Sequence, residues 1–430
     1  MNYNEALEYV LHIPRYKKKS KHDSVVHMLK ILGSPEKELK VIHVVGTNGK
    51  GSVSAFINGI GMYKGFKMGL FTSPHLLTIR ERFQIDGEMI SEEDFIVYLE
   101  CVLAAENRIK EDGYDPLTFF EIMLLIAVLY FRDKKVDYAI IEAGMGGRSD
   151  STNELGSLMT IITAIGLDHM SILGDTIEKI AYEKVGAVNH GEIAIISKQS
   201  KNIIDIIEDY VYVVGAEAHY ANHLSYKLDD ISEGGLNFTI KPDTDEACQF
   251  HLSMMGAYQV DNAVTSILAA KKLWNMSYEE LKEPLSKVTW QGRMEEVEKG
   301  FYVDGAHNPQ AIQSFVATLK SCFLDKSKIL IYAVASDKDD RSMLKEILKI
   351  PSLKILIITE LSNGRKTEAM SIVKLVDELV ENECARKPDS VVVETTIDKA
   401  IEYAKSFRED DDYIFAVGSL YLVADVIKKL

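Results

Sequence analysis

The segment Val44-Val45-Gly46-Thr47-Asn48-Gly49-Lys50-Gly51-Ser52 constrains this chain more than any other. Val41, Ile42, Val44 and Val45 read as a buried strand, the glycines as a turn, and the residues from Gly51 onward as a helix. Glycines let backbone N–H groups turn toward an oxyanion, and a helix N-terminus adds partial positive charge at the same place. Gly46, Thr47, Asn48, Gly49, Lys50, Gly51 and Ser52 are therefore candidate contacts for the phosphates of ATP or GTP. Lys50 can reach the β- and γ-phosphates, and the Ser52 hydroxyl can face Mg2+. The spacing departs from the usual G-x-x-x-x-G-K-[ST], because Gly46 stands close to Gly49 and Gly51 separates Lys50 from Ser52.

Around this loop strands and helices alternate. Strands are expected at 39–45, 137–141, 159–165 and 193–197, and helices at 51–63, 119–131 and 176–188. From 211 to 252 the rhythm changes to a period of two, which predicts short antiparallel strands. A helix at 262–273 and an interdomain connection at 283–291 follow. A second βα series has strands at 301–303, 329–335, 353–359, 391–394 and 413–417. The expected fold class is α/β: an N-terminal P-loop-type domain with a mainly parallel sheet and a small antiparallel subregion, then a C-terminal Rossmann-like doubly wound domain. The expected boundary separates 1–290 from 291–430.

With 49 Lys and Arg against 65 Asp and Glu, the net charge is −16, which disfavours a nucleic-acid partner. The basic run Arg15, Lys17, Lys18, Lys19, Lys21 reads as a solvated loop. Cys101, Cys248, Cys322 and Cys384 form no C-x-x-C pair and read as thiols of a reducing compartment. The N-terminus does not look like a signal peptide, and no apolar run is long enough to cross a bilayer. A cytoplasmic protein with no membrane partner, taken as a monomer, is expected.

Further chemistry sits where strands end. Glu142 closes a buried strand before Ala143-Gly144-Met145-Gly146-Gly147, the place for a carboxylate that holds Mg2+. Asp168-His169 also follows a strand. Taken alone, His169 reads as an ordinary histidine near the core, Lys184 as a surface helix lysine, and Phe119 and Phe120 as core packing.

The loop G-T-N-G-K-G-S resembles that of the Mur ligase superfamily, and its Lys-Gly-Ser resembles the folylpolyglutamate synthase/dihydrofolate synthase branch. Other segments resemble this family in the same order along nearly the whole chain. They are Thr72-Ser73-Pro74-His75-Leu76, Arg80-Glu81-Arg82-Phe83, Thr118-Phe119-Phe120-Glu121, Ile180-Ala181-Tyr182-Glu183-Lys184, Trp290-Gln291-Gly292-Arg293 and Asp304-Gly305-Ala306-His307-Asn308-Pro309. The resemblance implies that His169 and Lys184 bind a second Mg2+, with Lys184 converted by CO2 into a carbamate. It implies ATP contacts from Asn262, Arg293, Asp304 and His307. It implies a folate site lined by Ser73, Pro74, His75, Arg82, Thr118, Phe119, Phe120 and Glu121, and an amino-acid pocket lined by Ser336, Asp337, Ser419 and Tyr421. One position departs: Tyr258 stands in Gly256-Ala257-Tyr258-Gln259 where the family has histidine.

By this resemblance the chain is an ATP-dependent amide ligase. L-glutamate is added to the carboxylate of a folate, of dihydropteroate, or of both, through an acyl phosphate, with Lys50, Lys184 and His169 as the catalytic set. A cell-wall Mur-type amino-acid ligase and a non-ligating nucleotide switch are the alternatives. Gly51 and the T-S-P-H-L and T-F-F-E segments weigh against the first.

Overall fold

The computed structural model describes residues 1–14, 23–242, 246–362, 364–383 and 387–430. The basic run Arg15, Lys17, Lys18, Lys19, Lys21 and Cys384 lie outside the described residues. The chain divides into two compact units. The first is Met1–Leu224 with Asp261–Leu285, and the second is Ser225–Val260 with Ser286–Leu430.

The first unit is built on an eight-stranded sheet. Its strands are β1 (Val41–Val45), β2 (Met68–Phe71), β3 (Phe83–Ile85), β4 (Glu88–Met89), β5 (Tyr138–Glu142), β6 (Met159–Ile162), β7 (Ile193–Ile196) and β8 (Glu217–Tyr220), in the order β4-β3-β2-β5-β1-β6-β7-β8. Only the β4-β3-β2 edge is antiparallel. All five residues of β1 are buried, as a strand covered on both faces requires. The helix Phe119–Asp133 is buried continuously over 121–131, so its sequence is apolar all round rather than on one stripe.

Two expectations need correction here. The stretch 211–214 is not strand; it ends the helix Lys201–Val214, whose Ile203, Ile207 and Val211 bury one face at fourfold spacing. Gly215, at φ +68, then ends that helix in the left-handed region. The following β8 pairs parallel with β7, so antiparallel pairing begins only at Ser225. The β-branched run read as strand because its helical partners lie earlier in the chain. The expected connection 283–291 does contain the passage between units, after Leu285, but its start is helical: 283–287 form the last turn of the helix Tyr278–Lys287, with Pro284 inside it.

The second unit carries an antiparallel sheet of β9 (Ser225–Ser232), β10 (Gly235–Lys241) and β11 (Cys248–Leu252). Its larger sheet has β12 (Glu295–Glu298), β13 (Phe301–Asp304), β14 (Ser327–Tyr332), β15 (Leu353–Ile358), β16 (Ser390–Val393) and β17 (Asp412–Val417). The order is β12-β13-β17-β14-β15-β16, parallel except at the β12 edge. The small sheet belongs to this unit through packing: β9 contacts the helix Pro309–Cys322, and the Tyr413 hydroxyl donates to Glu233 Oε1 at 2.7 Å. The helical stretch 261–285 instead packs in the first unit. The Trp274 ring packs tilted against Phe66 at 5.6 Å and edge-on against Tyr138 at 5.5 Å, and the Tyr63 hydroxyl donates to Glu283 at 2.8 Å. The compact units are thus interleaved along the chain, where a linear reading puts one cut between 290 and 291.

Candidate active site

In the first unit β5, β1 and β6 are neighbours, so the loops leaving them open side by side at the carboxyl edge of the sheet. That edge is where open α/β sheets bind ligands. The loop 46–49 ends on Gly49, at φ +88, which caps the helix Lys50–Tyr63. A side chain there would be strained, and its Cβ would fall 2.4 Å from Asn262 Oδ1. A Cβ on Gly46 would fall 1.9 Å from Thr163 Oγ1, so the segment after β6 presses directly on the loop.

The Thr47 and Asn48 N–H groups do not turn toward an open oxyanion site. Both donate to the Ala164 carbonyl, at 2.9 and 3.1 Å, and the Thr47 hydroxyl bonds to the Gly166 carbonyl at 3.0 Å. These residues brace the loop. The N–H groups of the first helical turn, Lys50, Gly51 and Ser52, precede the first helical bond, from the Val53 N–H to the Gly49 carbonyl, the arrangement of a helix N-terminus suited to an anion.

Two lysines meet on one oxygen. Lys50 Nζ donates to the Gly46 carbonyl at 3.2 Å and to that of Thr47 at 3.3 Å, and Lys184 Nζ donates to the Gly46 carbonyl at 2.8 Å. Lys184 is not a surface lysine; it is 4% exposed. Burial, and then the Lys50 charge, push its amine down to about 7, against the opposing pull of Asp150, Asp168 and Glu183.

Glu142 ends β5, is buried, and accepts from the Ser73 N–H at 3.0 Å. His169 starts the short helix Met170–Leu173 at φ +50, and its N–H donates to Asp168 Oδ1 at 2.8 Å. Among the described residues, no three His, Cys, Asp or Glu side chains are grouped to hold a metal ion. Ser52 and Glu142 are hard oxygen donors that fit a magnesium ion taking its remaining ligands from phosphate and water. Lys184 as an ammonium donates a hydrogen bond and offers no lone pair to a cation.

Ser73, Pro74 and His75 lie in the loop after β2. His75 Nδ1 accepts from Arg82 Nε at 2.9 Å, and the buried Arg82 guanidinium lies 5.2 Å from the Phe119 ring. Phe120 packs 5.7 Å from Phe71 and covers Gly144, where a Cβ would come within 2.8 Å of its ring. Phe119 and Phe120 are half-buried, unlike the fully buried stretch 121–131, so core packing does not consume both rings. Thr118 and Glu121 form a capping box: the Glu121 N–H donates to Thr118 Oγ1 at 3.3 Å, and the Thr118 N–H to Glu121 Oε2 at 2.6 Å.

Asp150 escaped the sequence reading. It is buried and accepts from the Met145 N–H at 2.6 Å, the Thr152 N–H at 3.0 Å and the Thr152 hydroxyl at 2.7 Å, which fixes the glycine-rich loop after Glu142. An acid two residues before a threonine, at the start of the 3-10 turn Ser151–Leu155, was the available signal.

In the second unit Asp304 ends β13, is buried, and accepts from the Met294 N–H at 2.9 Å, the Ala306 N–H at 2.8 Å and the Tyr258 hydroxyl at 3.1 Å. Burial nonetheless pushes its carboxyl up, against the Arg293 charge and these donors. Arg293 lies over Gly305, where a Cβ would be 2.4 Å from Nη1. His307 Nδ1 is 2.8 Å from the Gly305 carbonyl, and Asn308 caps the helix Pro309–Cys322. Ser336 and Asp337 follow β14, and Ser419 and Tyr421 follow its neighbour β17. Ser419 accepts from the Tyr421 N–H at 3.1 Å. Arg365, also missed in the sequence, joins these two groups: Nη2 donates to both Asp337 oxygens at 2.6 and 2.7 Å, and its guanidinium lies 5.9 Å from the Tyr421 ring.

Among the described residues, no helix is long and apolar enough to cross a membrane. The Mur ligase middle domain matches residues 44–270, and the Mur ligase glutamate ligase domain matches 292–420. A dihydrofolate synthase/folylpolyglutamate synthase of Bacillus subtilis is 32% identical over 415 residues, covering 93% of this chain and 92% of that protein. A folylpolyglutamate synthase structure from Thermotoga maritima superposes with a TM-score of 0.83 at 28% identity, over 99% of this chain and 96% of that one. The fold of a Mycobacterium tuberculosis folylpolyglutamate synthase complexed with ADP agrees still more closely, with a TM-score of 0.90 at 23% identity over 99% and 97% of the two chains. The chain belongs to the Mur ligase superfamily, in its folylpolyglutamate synthase/dihydrofolate synthase branch.

Proposed function

We propose that this chain is an ATP-dependent ligase that joins L-glutamate to the carboxylate of a folate, of dihydropteroate, or of both. The observation that carries the reading is the convergence of Lys50 and Lys184 on the Gly46 carbonyl, beside a helix N-terminus at the carboxyl edge of the sheet. The Lys50 cation and the helix N-terminus beside it are suited to neutralising an anionic phosphoryl group meeting an anionic carboxylate.

The carboxylate oxygen takes the γ-phosphoryl group, giving ADP and an acyl phosphate. The glutamate amine attacks the acyl carbon, and the tetrahedral adduct expels phosphate to leave an amide. Lys50 and the first-turn N–H groups bind and orient the phosphates. Ser52 and Glu142 would hold Mg2+, which supplies further charge neutralisation when bound. Arg82 and the half-buried Phe119 and Phe120 offer a cation and flat apolar faces, which suits a heteroaromatic ring bearing carboxylates. A carbamate on Lys184, with His169 at a second Mg2+, belongs to the same reading. Its support is an amine that burial and Lys50 have brought near neutrality. Arg293, Asp304 and His307 toward the nucleotide, and Ser336, Asp337, Ser419 and Tyr421 toward the amino acid, are assigned by family pattern.

The test is glutamate-dependent ADP formation, with dihydropteroate and tetrahydrofolate assayed in parallel. Turnover with either supports the ligase and identifies its acceptor. Lys50→Ala should abolish turnover and leave the fold intact, because the side chain bonds only two loop carbonyls, and Lys184 also holds that of Gly46. Slow ADP release indifferent to glutamate and pterin would instead indicate a nucleotide switch.

A further inference from the structure

Tyr258 occupies the position at which the family pattern has histidine, and its ring is accommodated by a specific backbone arrangement. Gly256 sits at φ +105, and a Cβ there would fall 2.6 Å from the ring, so the aromatic face lies against bare backbone. The hydroxyl then reaches Asp304 Oδ2 at 3.1 Å. The same oxygen accepts from the Met294 N–H, and the other oxygen from the Ala306 N–H. One buried carboxylate thereby ties three segments: the start of the helix Tyr258–Trp274, the turn 292–294 that carries Arg293, and the loop 304–308 that carries His307. A buried carboxylate without donors is costly, so each donor helps to keep this junction in place. Burial, and then Asp304 itself, push the Tyr258 phenol well above its ordinary value, so it remains a donor throughout the working pH range.

We propose that Tyr258 is a positioning residue for the nucleotide side of the reaction, its hydroxyl holding Asp304 and thereby fixing Arg293 and His307. This rests on the assignment of Arg293 and His307 to the nucleotide. Tyrosine is not interchangeable here with the family's histidine. An imidazole is shorter than a phenol and falls short of the same carboxylate oxygen from the same Cα.

The groups facing Asp304 are the Arg293 guanidinium, the Tyr258 hydroxyl and the N–H groups of Met294 and Ala306, all favouring the carboxylate, while burial opposes it. Deleting the hydroxyl removes one stabiliser of the charged form, so Asp304 then takes up its proton at a higher pH.

The test uses the full chain with Tyr258→Phe. Kinetic constants for ATP, the pterin and glutamate are measured from pH 6 to 9, ADP affinity is measured by calorimetry, and melting is followed in parallel. The expected result is a roughly tenfold loss of ADP affinity and a matching rise in KM for ATP. KM for the pterin should stay unchanged, and the acid limb of kcat/KM for ATP should move to higher pH. Tyr258→His should not restore the wild-type values. Unchanged ADP affinity and an unchanged acid limb in a folded Tyr258→Phe variant overturn the proposal. So does a uniform loss for all three substrates accompanied by a collapse in melting temperature, which marks a merely structural role. A wild-type chain that forms no glutamate-dependent ADP would defeat the ligase reading, and the calorimetric arm would still decide the role of Tyr258.

Discussion

Lys184 and Lys50 share the Gly46 carbonyl, and the consequence for Lys184 is an amine poised near neutrality. Its folded-state value, about 7, lies below the ordinary 10.5 of the unfolded chain. The unfolded state therefore binds more protons between those values, and stability rises with pH across that window. Lys184→Met removes this group. In CO2-free buffer, denaturant titrations from pH 7 to 9 should show a stability gain in the wild type that exceeds the variant's by about 1 kcal/mol per pH unit. Equal slopes would contradict the buried amine. An unprotonated amine is also what CO2 requires, so mass spectrometry under CO2-replete conditions should detect a carbamate increment that grows as pH rises through 7. Lys184→Arg should lose turnover, because arginine forms no stable carbamate. A fully active Lys184→Arg enzyme would remove the carbamate from the mechanism. The position of Lys184 in a family-like string was legible in the sequence. Its burial was not, because the groups that enclose it, Gly46, Gly147 and Lys50, come from other parts of the chain.

At the level of elements, the strongest sequence signals were local. The strand, turn and helix around the phosphate loop and the capped helix Phe119–Asp133 depend on neighbours in sequence, and their bounds were expected to within a few residues. Thr118 shows how such an element also positions residues of the proposed pterin site. Its hydroxyl accepts from the Glu121 N–H while Glu121 reaches back to the Thr118 N–H, and the capped turn presents Phe119 beneath Arg82. Thr118→Ala should reduce stability by about 1 kcal/mol and raise KM for the pterin, whereas Thr118→Ser should preserve both. Denaturant midpoints together with pterin kinetics check this. Loss of pterin binding in Thr118→Ser would mean that the threonine methyl contacts substrate. The misread elements were those whose signals conflict locally. The run Tyr210-Val211-Tyr212-Val213-Val214 has strand-forming side chains, yet it ends a helix because Val211 completes a buried face begun by Ile203 and Ile207.

For the whole molecule, ligands should act through mass action. ADP binds the folded chain in this reading, so saturation at about 100 times its dissociation constant should add about 2.7 kcal/mol to the stability of the unit that binds it. A thermal melt should shift upward with ADP and Mg2+, and a chelator should reduce the shift and stop turnover. An unmoved melt at saturating ADP, in a chain shown to be folded, would count against the phosphate loop. The sequence alone determined the βα order, the phosphate loop, Glu142 at a strand end and the family, because those features reside in contiguous motifs. Tertiary structure alone decided that β9–β11 join the second unit, that Asp150 clamps the loop after Glu142, that Arg365 joins Asp337 and Tyr421, and that Tyr258 bonds Asp304. Each of these needs either close packing between distant segments or a buried polar atom that must find a donor, and neither requirement leaves a periodic trace along the chain.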